Sequence, residues 1–111
     1  MTKETNERSA KYLKFVRSRP CIVTGQDSDY TEIVAHHVRC LSGGGTGLKP
    51  SDYLTLPLTA FEHVMLHNMG EAAYWRTRRI DPSKYITMTL LTYLATQPVA
   101  NELLIDLIES L

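Results

Sequence analysis

The four histidines of this 111-residue chain fall into two close pairs. His36 and His37 are adjacent in T-E-I-V-A-H-H-V (residues 31–38), and His63 and His67 stand four apart in F-E-H-V-M-L-H-N (residues 61–68). Imidazole titrates near neutrality and is the commonest metal ligand, so this grouping points to metal binding, proton transfer or both. On a helix, positions i and i+4 lie one above the other, which aims His63 and His67 at one point in space. That is a metal-ligand spacing. In a strand, neighbouring side chains point to opposite faces, so His36 and His37 diverge unless a bulge intervenes. Divergence suits a division of labour better than two ligands to a single ion. A zincin protease is disfavoured, because that motif needs glutamate directly after its first histidine and Val64 stands there.

The surrounding chain supplies elements for both pairs. Residues 33–40 are rich in β-branched side chains and read as a strand, and residues 53–58 alternate as its hairpin partner, with Pro57 pushing that strand to a sheet edge or its end. Residues 59–69 read as a helix with Thr59 as N-cap, stopped or kinked at Gly70. Between the strands lies S-G-G-G-T-G-L-K-P (residues 42–50). A P-loop is rejected, because its lysine must follow glycine directly and Lys49 follows Leu48; the stretch reads as a loop returning one strand to the next. Upstream, Tyr12, Phe15 and Val16 recur at helical spacing over residues 7–18, ahead of Pro20. Cys21 to Gly25 reads as a short strand or knuckle before a polar turn at residues 26–30. Downstream, residues 71–79 read as a helix in which Tyr74 and Trp75 serve as core anchors rather than base-stacking platforms. Asp81-Pro82 opens another helix, whose apolar residues 85–94 read as core. A last helix follows Pro98, with Ala100, Leu103, Leu104, Leu107, Ile108 and Leu111 on one stripe, read as the lid of a small core ahead of a homodimer seam.

Length and composition bound the class. The chain suits one domain with one modest core. No run of 18 apolar residues exists and the N-terminus is polar, so neither a membrane span nor a signal peptide is read, and a cytoplasmic protein is expected. Two cysteines, Cys21 and Cys40, are too few for a disulfide framework. The formal net charge is zero, so composition does not announce a nucleic-acid binder. Arg39 and Lys49 lie near the histidines and could contact phosphates, a reading only slightly ahead of ordinary surface charge.

In order, a His-His strand, a loop, Asp52, a second strand and a helix with H-x-x-x-H resemble the ββα-metal motif of HNH endonucleases. Tyr12 to Cys21, A-H-H-V, G-L-K-P-S-D (residues 47–52), Pro57-Leu58, H-V-M-L-H, G-E-A-A-Y-W (residues 70–75) and I-D-P (residues 80–82) resemble phage and prophage nucleases related to the RecA-dependent endonuclease Ref. The resemblance implies His37 as general base, His36, His63 and His67 as metal ligands, and Asp52 near the asparagine that orients the base. It implies an α+β fold: a ββα-metal core over about residues 20–70, an N-terminal helix and further C-terminal helices over about 71–111. The implied partner is DNA, and a RecA-type recombinase filament is a further expectation.

The chemistry suits those residues independently. Phosphodiester hydrolysis needs an activated water and a cation to absorb charge on the phosphate. Three imidazoles favour zinc or nickel over magnesium, although magnesium or manganese remains open through water-filled positions. Many HNH proteins carry a structural zinc on two C-x-x-C pairs. Here Cys21 stands alone, with Thr24, Thr59 and Glu62 where the other thiols would fall, so no structural zinc is expected. The expected activity is divalent-metal-dependent DNA cleavage; the alternative is an inactive nucleic-acid- or recombinase-binding module on the same fold.

Overall fold

A computed structural model describes residues 8–41, 50–97, 106 and 108–110. The fold is α+β: among these residues four α-helices surround a two-stranded antiparallel sheet. The helices are α1 (Ala10–Arg17), α2 (Ala60–Met69), α3 (Glu71–Arg78) and α4 (Pro82–Ala95); the strands are β1 (Ile33–His37) and β2 (Thr55–Thr59). The β1-β2-α2 succession is a ββα unit, with α1 before it and α3 and α4 after it.

The register sets His36 opposite Leu56 and His37 opposite Thr55. Every residue of β2 is buried, so both faces of this strand are covered, since its side chains alternate in direction. Pro57 is tolerated in mid-strand because β2 pairs through β1 on one side only, and its carbonyl accepts from the Ile22 N–H at 3.2 Å. Leu56, Leu58, Ile33, Val38, Leu66, Tyr74, Trp75 and Ile86 form the core. Tyr74 and Trp75 are buried anchors, as their pattern suggested. Among the described residues no helix is long and apolar enough to cross a membrane.

Two strand boundaries differ from the sequence reading. Strand β1 stops at His37 rather than residue 40: Val38 still donates to Leu54 O at 2.8 Å, but a 3-10 turn, Arg39–Leu41, takes the chain away. Strand β2 begins at Thr55 rather than 53, because residues 51–54 form a turn in which Tyr53 N–H bonds the Ser51 hydroxyl and Leu54 N–H bonds the Ser51 carbonyl. Of the strand or knuckle read for residues 21–25, the structure forms the knuckle. Cys21 N–H donates to Gln26 O at 2.8 Å and Gly25 N–H to Cys21 O at 2.9 Å, with Gly25 at φ +77°.

The caps were legible. The Thr59 hydroxyl accepts from Glu62 N–H at 3.0 Å, and the Asp81 carboxylate from Ser83 N–H at 3.0 Å. Helix α4, however, is not a core helix: Ile86 alone is buried, and Met88, Leu91 and Leu94 are exposed, because α4 rests one edge on β2 and α1 while no described element covers the other. The expected last helix and its apolar stripe, read as a core lid ahead of a dimer seam, lie outside the described residues, apart from 106 and 108–110.

A buried ionic clamp fixes α2 against α3. The Glu62 carboxylate accepts from Tyr74 Oη at 2.6 Å and from Arg78 Nε and Nη2 at 3.1 and 3.0 Å. Burial first, then the hydrogen bond to Glu62 and the Glu62 charge, push the Tyr74 phenol well above its ordinary range.

Candidate active site

Helix α2 presents His63 and His67 on one face, and their Nε2 atoms meet at 3.1 Å. From β1, His36 turns to the same place, its ring centroid 5.1 Å from that of His63 and 5.9 Å from that of His67. One ligating nitrogen from each lies within 4.8 Å of the other two. Tetrahedral zinc with Zn–N bonds of about 2.0–2.1 Å would set its ligand nitrogens roughly 3.3 Å apart, so the donor set fits a divalent ion with small side-chain adjustment. Burial grades across the group: His36 is buried, His63 half-buried and His67 exposed. An ion held here would face solvent on the His67 side, the arrangement of a site that keeps a position open for water or substrate. Burial, followed by the neighbouring His36 and His67, lowers the His63 pKa and favours the neutral imidazole that binds metals.

His37 goes the other way, as strand alternation requires. Its Nε2 lies 2.8 Å from Asp52 Oδ1. Asp52 is itself 3 % exposed and anchored by Ser9 N–H, which donates to Oδ2 at 2.7 Å, with the Arg8 guanidinium 3.5 Å from Oδ1. Arg8 also donates to Pro50 O. The residues just before α1 thus hold the carboxylate that faces His37. Burial alone would raise the Asp52 pKa; the His37 hydrogen bond, the Ser9 N–H and the charges of His37 and Arg8 outweigh it and leave the carboxyl below its ordinary value.

A carboxyl held low in the folded state stabilises the fold above its unfolded pKa, about 3.9, and that contribution is lost as pH falls through the lower folded value. In chelator, the melting temperature of the wild type should therefore drop more steeply below about pH 4 than that of Asp52→Asn. Parallel acid limbs for the two proteins would show that Asp52 is not held in this way.

The sequence reading missed Glu71. Its Oε2 lies 2.8 Å from His36 Nε2 and 3.2 Å from Trp75 Nε1; its Oε1 accepts from Arg39 and Cys40 N–H at 2.9 and 3.2 Å. These partners, above all His36, hold its pKa below the ordinary range against the opposing effect of burial. Arg39, expected at phosphates, is exposed and ties its backbone to Glu71. Lys49 lies outside the described residues. Cys21 is buried in its knuckle, and its sulfur accepts from Thr24 N–H at 3.5 Å.

A family profile described as a protein of unknown function, DUF968, matches residues 1–79. The chain belongs to the DUF968 family. The DUF968 match takes in α1 through α3, and so every histidine, Asp52 and Glu71, while α4 follows it. No curated protein and no solved structure matches the chain.

Proposed function

We propose that this DUF968 chain is a divalent-metal-dependent DNA endonuclease of the HNH type, working in the cytoplasm on phosphodiester bonds. The observation that carries the reading is the pair of assemblies on adjacent residues of β1: a three-histidine cluster built on His36 and a His37–Asp52 pair. Metal binding alone would need only the first. A second imidazole, backed by a buried carboxylate and beside the cluster, is what general-base hydrolysis asks for.

A divalent ion at the three imidazoles would supply positive charge to the scissile phosphate and the leaving oxygen. The remaining work falls to the chain. An ionised carboxylate only accepts hydrogen bonds, so Asp52 fixes the His37 hydrogen on Nε2 and leaves the Nδ1 lone pair to take a proton from water. Asp52 then stabilises the imidazolium that forms. The cradle of Ser9 and Arg8 keeps Asp52 in place, so His37 holds one orientation throughout. The resemblance to Ref-like phage nucleases extends the proposal to recombination and to a RecA-type filament as partner.

Labelled single- and double-stranded DNA, offered to metal-stripped protein with magnesium, manganese, zinc or nickel returned one at a time, tests the reading. Cleavage is expected with at least one ion and none in chelator. Binding without cleavage, with every ion and also on RecA-coated DNA, would turn the assignment to the inactive binding module.

A further inference from the structure

Glu71, the first residue of α3, uses both of its carboxylate oxygens, and its donors come from three separate places. Oε2 takes His36 Nε2 and the indole N–H of Trp75; Oε1 takes the backbone N–H groups of Arg39 and Cys40, where β1 gives way to the 3-10 turn. A carboxylate tied at both oxygens cannot swing aside, so the His36 ring is pinned. The ring is also backed by Trp75, whose centroid lies 6.1 Å away. Because the carboxylate accepts and cannot donate, the His36 hydrogen must sit on Nε2, and the lone pair that could bind an ion is on Nδ1. His63 and His67 present Nε2 to each other.

We infer that Glu71 is the positioning residue of the metal centre, and that it commits His36 to coordinate through Nδ1 while His63 and His67 coordinate through Nε2. The inference rests on the metal site proposed above and adds its donor atoms and its outer support. Glu71 is not itself one of the three clustered ligands. It acts through His36, as carboxylates do when they receive the second N–H of a ligating imidazole.

Long-range 1H–15N correlation spectra of the full chain, labelled with 15N-histidine and loaded with zinc, separate the two modes of coordination. The expected result is one histidine bound through Nδ1, assigned to His36, and two through Nε2. Three histidines bound through Nε2 would overturn the assignment and leave the metal centre standing. A wild-type chain that takes up no zinc would overturn the metal centre, and this inference with it. The positioning role is read separately from Glu71→Gln, whose amide offers one acceptor oxygen instead of two. Its zinc affinity is expected to fall about 10–100-fold, as for other second partners of ligating histidines. A variant that melts earlier yet binds zinc as tightly as the wild type would make Glu71 a structural residue only and sink the positioning role. Should Glu71→Gln not fold, the wild-type spectrum decides the donor atoms, and Glu71→Asp, which keeps the charge on a shorter arm, takes its place in the affinity measurement with the same two outcomes.

Discussion

His37→Ala is expected to lower the rate of DNA cleavage by about 10²–10⁴-fold, the usual contribution of a positioned general base. Zinc affinity and DNA affinity should stay within about twofold of the wild type, because His37 points away from the cluster and toward Asp52. The separation of the two readouts is the content of the expectation. A variant that lost zinc along with cleavage would place His37 among the ligands, and one that cleaved normally would remove it from the chemistry. The same substitution leaves Asp52 its Ser9 and Arg8 partners, so a large loss of stability is not expected. A cleavage assay beside isothermal titration with zinc measures both quantities on one preparation.

The second large effect belongs to the cluster. His63→Ala removes one of the three proposed ligands, and its loss should exceed the 10–100-fold in metal affinity that even a second partner of a ligand commands. Binding to the folded state alone stabilises by RT ln(1 + [L]/Kd), about 2.7 kcal/mol when the free ion stands at a hundred times Kd. Wild-type protein should thus gain several degrees of melting temperature at such a zinc concentration, and His63→Ala should gain almost nothing. His63 is partly exposed on α2 and outside the core, so without metal the two proteins should melt alike. An equal zinc-induced rise in both would remove His63 from the centre. Cleavage should vanish with the affinity, in contrast to His37→Ala, where it vanishes without it.

The parts of the site that were legible beforehand are those written in local spacing. His63 and His67 are one turn apart, so helical geometry alone brings them together; His36 and His37 diverge because strand side chains alternate. Caps at Thr59 and Asp81 were readable for the same reason, since each bonds within three residues of itself. Glu71 was not readable. It opens a helix directly after Gly70, where an acidic residue is ordinary helix-start composition, and its meaning comes from His36, 35 positions away. Nor was Ser9 singled out in the sequence, although in the structure it caps α1 and its N–H reaches Asp52 across 43 positions. The early end of β1 has the same origin: the Glu71 carboxylate draws off the Arg39 and Cys40 N–H groups that a longer strand would have paired. The exposed face of α4 misled for the opposite reason, because an apolar segment says that it can be buried, not that a neighbour is there to bury it.

The contacts of the site are ordered by how much chain each one encloses: 4 positions between His63 and His67, 15 between His37 and Asp52, 35 between His36 and Glu71, and 43 between Ser9 and Asp52. An isolated α2 segment would own the first of these and none of the others. The unfolded chain keeps a pair of imidazoles able to hold an ion weakly, yet has no oriented His37 beside it, so under the nuclease reading proposed above, cleavage would appear only with the completed fold.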